Sequence, residues 1–206
     1  MTKKWALILA LAFILGIGSK LYFDSHQSND AAPVKKVAAL NLTDPTFYSQ
    51  GNKPVQILNP TDKRIRIVYF GFTHCPDVCP TSLAMLAGAL NQLSPETRAQ
   101  VWPIFISLDP ERDTPAIVSK YGHYFSPLIE GMSAPLNLTT AFAHKYGVIF
   151  HKTPLKDSEL KYTIDHSSYF YLLKPDGTLI TKVPHIQSPA PLITAMNSVV
   201  QSQKGK

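Results

Sequence analysis

The sequence predicts a mixed α/β sheet with helices on both faces, preceded by one N-terminal apolar helix. Three patterns carry that prediction. Strand-like apolar runs alternate with helical stretches through the middle of the chain. A strand–turn–strand unit follows near the C-terminus, and an uninterrupted apolar run lies close to the N-terminus. With 206 residues, 45% hydrophobic and 17% charged, the chain has enough apolar material for one sizeable core.

Taken in order, residues 1–4 read as a cytoplasmic tip, 5–23 as a transmembrane anchor, 24–39 as a flexible tether and 40–206 as the folded domain. Lys3 and Lys4 precede an apolar run from Trp5 to Gly18 that continues, past Ser19 and Lys20, into Leu21, Tyr22 and Phe23. At helical rise, Trp5 to Phe23 extends about 28 Å, close to a hydrocarbon core if Lys20 snorkels. The competing reading is a cleaved signal peptide. Against it, no Ala-x-Ala-like site follows Gly18, and Trp5, Tyr22 and Phe23 stand where interfacial aromatics belong. Either way the positive-inside rule exports the rest of the chain. An Arg- and Ser-rich mitochondrial presequence is absent, so the expected location is the bacterial inner membrane, single-pass, with the domain on the periplasmic side. Residues 24–39 are polar and then Pro- and Lys-bearing, with no apolar period. The net charge is +6, but five lysines fall in the first 36 residues, and there is no basic–aromatic RNA motif or zinc-finger spacing. Nucleic acid is therefore not an expected partner.

Within the domain, Pro54–Leu58 is a short strand candidate and Ile65–Phe72 a stronger one, β-branched and aromatic as a central strand requires. Both cysteines of the chain follow directly, in Thr73-His74-Cys75-Pro76-Asp77-Val78-Cys79-Pro80. Pro80, which lacks an N–H, suits a first helical position, so the spacing predicts a helix to Leu93 with Cys79 at its cap and its thiol pKa lowered there. Val101–Leu108 reads as another buried strand. Asp109–Pro115 then leads into a helix over about Ala116–Tyr124, with Asp113 or Thr114 as cap. Leu138–Tyr146 is a short helix introduced by Asn137. Tyr169–Leu173 and Thr178–Val183 flank Lys174-Pro175-Asp176-Gly177, a turn with proline at its second position and glycine where a positive φ is needed. A last helix runs from Ala190 to about Val200. This order matches a thioredoxin-like fold, with the cysteines at the C-terminal end of a central strand, where α/β sheets place their sites.

Two cysteines in an exported protein default to a structural disulfide. A bridge closing only five residues, however, is worth about 2 kcal/mol, against ~3 for a 15-residue loop, and a domain with its own core does not need it. Copper(I) is a soft ion, and two thiolates with one imidazole suit it, whereas a closed zinc site wants a fourth ligand. Of the seven histidines, His74 adjoins Cys75 but should point the other way in an extended segment. His166 precedes the hairpin strand, in the loop that faces the cysteine loop in thioredoxin-like folds and usually carries a proline. A loop histidine bonded to backbone is the ordinary alternative for His166. His26, His123, His144, His151 and His185 show no such setting.

The blocks Gly71–Thr81, Ser107–Pro115 and Ile164–Tyr171 resemble the three signatures of the Sco/SenC family in order and spacing across about 41–200. The resemblance implies a thioredoxin-like core behind one membrane anchor and a role in assembling cytochrome c oxidase. It also implies one copper ion, as Cu(I) or Cu(II), on Cys75, Cys79 and His166. The copper-centre subunit of the oxidase is the implied partner, with a periplasmic copper donor or a thiol reductant as further ones. Asp77, Asp165, Asp109 and Asp113 are candidates for supporting the ligands, with Asp165 orienting His166, while helix capping is an equal reading for Asp109 and Asp113. Met85 and Met132 are soft enough for copper but read as core or gap-filling residues. The rival to metal delivery is a thiol–disulfide oxidoreductase using Cys75 and Cys79. Cys-x-x-x-Cys spacing and histidine in place of the usual proline weigh against a general thioredoxin. A peroxiredoxin-like Cys79-Pro80-Thr81 turn is disfavoured by the second cysteine so near on its N-terminal side.

Overall fold

The computed structural model describes Gly16, Ser19, Lys20, Leu42, residues 45–185 and residues 187–204. The predicted tip and tether, and all of the predicted anchor except Gly16, Ser19 and Lys20, lie outside them. Among the described residues no helix is long and apolar enough to cross a membrane. By its contacts the chain divides into Met1–Leu40 and Asn41–Lys206, and both cysteines belong to the second unit.

The centre of that unit is a five-stranded sheet. Strands β3 (Ile65–Gly71) and β4 (Val101–Ser107) run parallel in the middle, and every residue of both is buried. The short β5 (Glu130–Met132) adds in parallel beyond β4, while β8 (Tyr169–Leu173) and β9 (Leu179–Pro184) add antiparallel on the other side, giving the order β5-β4-β3-β8-β9. Full burial of β3 and β4 follows from cover on both faces, which is why they read as largely apolar runs; the exception within β3 is Arg66, whose guanidinium donates to the carbonyls of Ile57, Asn59 and Asp62. Tyr69 and Phe105, on one face, meet α1 (Val78–Gln92) and α3 (Pro115–Phe125), the latter through a Phe105–Tyr121 ring contact at 5.5 Å. Phe70, on the other face, meets Phe142 of α4 (Leu136–Lys145) at 6.1 Å. A one-turn helix α2 (Pro95–Arg98) precedes β4, and α5 (Ala190–Lys204) packs on α1.

Two small sheets lie outside the five-stranded ladder, though Phe47 and Ile164 reach into the core. One pairs β1 (Thr46–Tyr48) with β2 (Pro54–Gln56), and the other pairs β6 (Phe150–Pro154) with β7 (Tyr162–His166). The C-terminal hairpin closes as its sequence predicts. Gly177 has φ +85° and its N–H donates to Lys174 O at 2.9 Å. Helix α1 starts two residues earlier than Pro80 implies, with Asp77 at its cap and Pro80 third, still within the turn whose N–H groups lack helical partners. Thr114, not Asp113, caps α3, its side chain accepting from the Ile117 N–H. Met132 lies in β5 and is fully buried.

Candidate metal centre

The cysteine loop leaves β3 at Gly71 and is fixed by backbone and carboxylate together. Gly71 O accepts the Leu108 N–H at 2.7 Å, and Phe72 O accepts the Cys75 N–H at 3.3 Å. Asp113, wholly buried, accepts the Thr73 N–H at 2.9 Å as well as the hydroxyls of Thr73 and Ser107. Glycine is needed at 71 because a Cβ there would stand 2.7 Å from Cys79 Sγ and 2.9 Å from the Phe105 ring. The Cys79 sulfur is thus seated directly over the end of the strand.

Both cysteines are free thiols, Cys79 buried and Cys75 partly exposed. As the second residue of α1, Cys79 turns its sulfur into the core, while its N–H donates to Cys75 Sγ at 3.4 Å. The expectation of a lowered Cys79 thiol is therefore reversed: the helix N-terminus serves Cys75. The hydrogen bond from the Cys79 thiol, aided against burial by His166 and then by the backbone N–H groups of Cys79 and Asp77, lowers the Cys75 thiol to about 4. The same bond to Cys75, then burial, pushes the Cys79 thiol well above its ordinary value.

His166 ends β7 opposite Phe150, so it is a strand residue and not a loop residue. Its Nε2 lies 3.6 Å from Cys79 Sγ, and its Nδ1 lies 3.1 Å from the Ser167 carbonyl. A carbonyl only accepts, so Nδ1 carries a proton and Nε2 is the nitrogen that faces the sulfurs. The imidazole stands edge-on to Tyr69 and Phe72 at 6.4 and 6.1 Å between ring centres. The Tyr69 hydroxyl is buried beneath them, close to Ser82, Ser168 and Cys79.

The four aspartates separate. Asp113 braces the cysteine loop. Asp109 accepts the Tyr162 hydroxyl at 2.8 Å and pairs with Arg112. Asp77 is exposed, 3.4 Å from the Thr81 hydroxyl. Asp165 does not orient His166: neighbours on a strand face opposite ways, and Asp165 accepts from Thr153 and lies 3.4 Å from His151 on the exposed side. The Ser167 carbonyl takes that orienting role. Thr73, Arg112 and Ser167 lie within the three signature blocks and Tyr162 outside them, but none of the four announces these contacts by its residue type or spacing. His185, unremarkable by sequence, meets Ser82 at 2.7 Å.

Among the described residues no group of three or more His, Cys, Asp or Glu is already gathered as a metal cage. The sulfurs and imidazole instead hold one another by hydrogen bonds that a metal would replace. The Cys79–His166 pair is spaced for one: metal–sulfur and metal–nitrogen bonds of about 2.3 and 2.0 Å at tetrahedral to trigonal angles put S and N ~3.5–3.8 Å apart. The Cys79–His166 separation of 3.6 Å lies within that range.

The SCO1/SenC family model matches residues 49–201. The chain belongs to the SCO1/SenC family. It is 37% identical over 189 residues to the mitochondrial protein SCO2 of Saccharomyces cerevisiae, covering 86% of this chain and 60% of that protein. It thus spans only part of its relatives' length, 53% for the mitochondrial SCO1 homolog 1 of Arabidopsis thaliana. Copper-bound ScoI of Arabidopsis thaliana superposes with a TM-score of 0.68 at 32% identity, over 77% of this chain and 97% of that one. BsSco, described as a Sco member of the cytochrome c oxidase assembly proteins with a disulfide switch, matches with a TM-score of 0.56 at 25% identity, over 74% and 89%. The five-stranded sheet with its flanking helices is therefore the thioredoxin-like Sco fold, and this family includes copper-bound members.

Proposed function

We propose that this protein binds one copper ion through Cys75, Cys79 and His166 and delivers it to the dinuclear copper centre of cytochrome c oxidase. The observation that carries this reading is the His166 Nε2 atom, 3.6 Å from Cys79 Sγ, with the Cys75 sulfur in the same contact. Two sulfurs and a neutral imidazole suit copper in either common oxidation state. The ligands differ in access. Cys79 is the inner anchor, and Cys75 at the rim is the one that a partner's ligand reaches first, so exchange begins there. The partner is the copper-centre subunit of the oxidase, with a periplasmic copper donor or thiol reductant upstream. An N-terminal anchor at residues 5–23 holds the domain on the periplasmic side of the inner membrane, a reading supported by Lys3, Lys4 and the apolar run after them.

Copper(I) titration of the reduced full-length chain against a competing chelator tests the site. One tight ion per chain is expected, with the affinity lowered about ten-fold or more in both His166→Ala and Cys75→Ser, as loss of a soft ligand requires. If His166→Ala binds like the parent, the copper reading is wrong.

A second reading has its own support. Cys75 is a partly exposed thiolate at neutral pH and Cys79 a shielded thiol beside it, which is the division between attacking and resolving cysteines. Thiol–disulfide exchange with the oxidase's own copper-ligand cysteines would prepare them for metal. It predicts that Cys79→Ser traps a mixed disulfide with that subunit and Cys75→Ser does not.

A further inference from the structure

The turn at residues 107–113 touches both halves of the candidate centre. Towards the cysteines, Asp113 holds Thr73. Towards the histidine, three residues of the same turn grip the β6–β7 hairpin. Asp109 accepts the Tyr162 hydroxyl at 2.8 Å. Glu111 accepts from Lys152 Nζ at 2.6 Å. Arg112 pairs with Asp109, donates from Nη1 to the carbonyls of Leu160 and Tyr162 at 3.1 and 3.0 Å, and sets its Cζ 3.8 Å from the centre of the Tyr162 ring. Lys152 Nζ lies 4.5 Å from the same ring.

This grip adds polar anchoring to a hairpin that otherwise packs on the core through Ile164, Phe150 and Tyr162. Its two strands form a sheet of their own, with no ladder to the central five. Of their residues only Ile164 is buried. Two strands alone are marginal in water, so contacts from outside must fix where they sit. His166 is carried on β7, four residues after Tyr162, and its meeting with Cys79 depends on that placement. Arg112 Cζ also lies 6.0 Å from the Phe72 ring, which stands edge-on to the imidazole.

We propose that Arg112 and Tyr162 are positioning residues for His166: clasped to Asp109, they hold the β6–β7 hairpin so that the imidazole meets the two sulfurs. Neither side chain belongs to the ligand set. The inference rests on the copper reading, in which His166 is a ligand.

The test uses the reduced, full-length chain with Tyr162→Ala, Tyr162→Phe and Arg112→Ala, each alone and combined with His166→Ala. Without metal, proton NMR reads the His166 ring, whose resonance is shifted by the Tyr69 and Phe72 rings. Tyr162→Ala and Arg112→Ala should move it towards its free value while Phe170 in the core stays unchanged. Copper(I) affinity should fall about ten-fold, the scale of removing a group that orients a metal ligand. Tyr162→Phe keeps the ring against Arg112 and loses only the bond to Asp109, so it should show the same effects at smaller size, and it serves if the alanine variants do not fold. In the His166→Ala background the substitutions should cost nothing further. An equal loss in both backgrounds, or an unmoved His166 resonance, overturns the proposal. If His166→Ala itself leaves copper affinity unchanged, the copper reading fails instead, and the ring resonance alone decides whether the clasp positions the histidine.

Discussion

A thiolate beside a helix N-terminus is stabilised by N–H groups that lack helical partners, and here the sulfur that receives one belongs to Cys75, ahead of the helix. Cys79, inside the first turn, supplies the N–H and buries its own sulfur over Gly71. The Cys-x-x-x-Cys spacing thus makes one anion and one shielded thiol, a division that side-chain type alone does not specify. The shifts have definite signs for stability. Between about 4 and the ordinary thiol value near 9, the unfolded chain keeps the Cys75 proton and the folded chain does not. Its contribution is therefore present in full above 9 and is lost as pH falls through that window to about 4. Cys79 acts oppositely: its folded value lies above 9, so its contribution is present below 9 and is lost as pH rises further. The urea midpoint of the reduced, metal-free protein should accordingly rise from pH 5 to pH 8, and Cys75→Ser should flatten that part of the rise. Alkylation should reach Cys75 at a rate nearly independent of pH across the same range and leave Cys79 untouched.

At the scale of elements, the loop between β3 and α1 keeps its shape through a buried carboxylate 40 residues away in sequence. Asp113 accepts three hydrogen bonds, from the Thr73 N–H and hydroxyl and from the Ser107 hydroxyl. Asp113→Asn retains one acceptor oxygen where two were used and brings a donor group against donors, a loss of roughly 2–3 kcal/mol for hydrogen bonds to a charged group. Urea unfolding should show that loss as a lower midpoint at unchanged slope, and hydrogen exchange should quicken at the Thr73 and Cys75 amides before it does at β4. The elements themselves were unequally legible. Strands β3 and β4 and the β8–β9 hairpin announce themselves by apolar runs and by Pro175-Asp176-Gly177, since burial on two faces and a positive φ leave local marks. The three-residue β1 and β5, and β6 with its Phe150-His151-Lys152-Thr153-Pro154, do not, because a short or half-exposed strand carries no sustained alternation. The site divides the same way. Cys75, Cys79 and His166 are visible from residue chemistry and resemblance, whereas Thr73, Arg112 and Tyr162 act through contacts about 40–50 residues distant that no local pattern encodes.

For the whole molecule, the sheet's C-terminal edge brings two sulfurs, one imidazole and the turn that braces them to a single corner with Cys75 at its rim, so in the proposed copper reading metal and redox chemistry would compete there for the same atoms. A Cys75–Cys79 disulfide would use both sulfurs, and a bound copper ion would deny them to an oxidant. The five-residue loop adds only about 2 kcal/mol of chain entropy in favour of that bond. The bond is therefore not required to hold the fold, and the reduced state leaves both thiols free. Oxidation and metal loading should be mutually exclusive. A thiol oxidant such as diamide applied to metal-free protein should remove both free thiols and abolish copper(I) binding until a reductant restores them. The same treatment of copper-loaded protein should proceed many times more slowly, at a rate set by copper release. Because His166, in the proposed copper reading, would complete the site without taking part in the disulfide, His166→Ala should speed oxidation of the loaded protein and leave that of the metal-free protein nearly unchanged. Equal oxidation rates with and without copper would mean that the metal sits elsewhere.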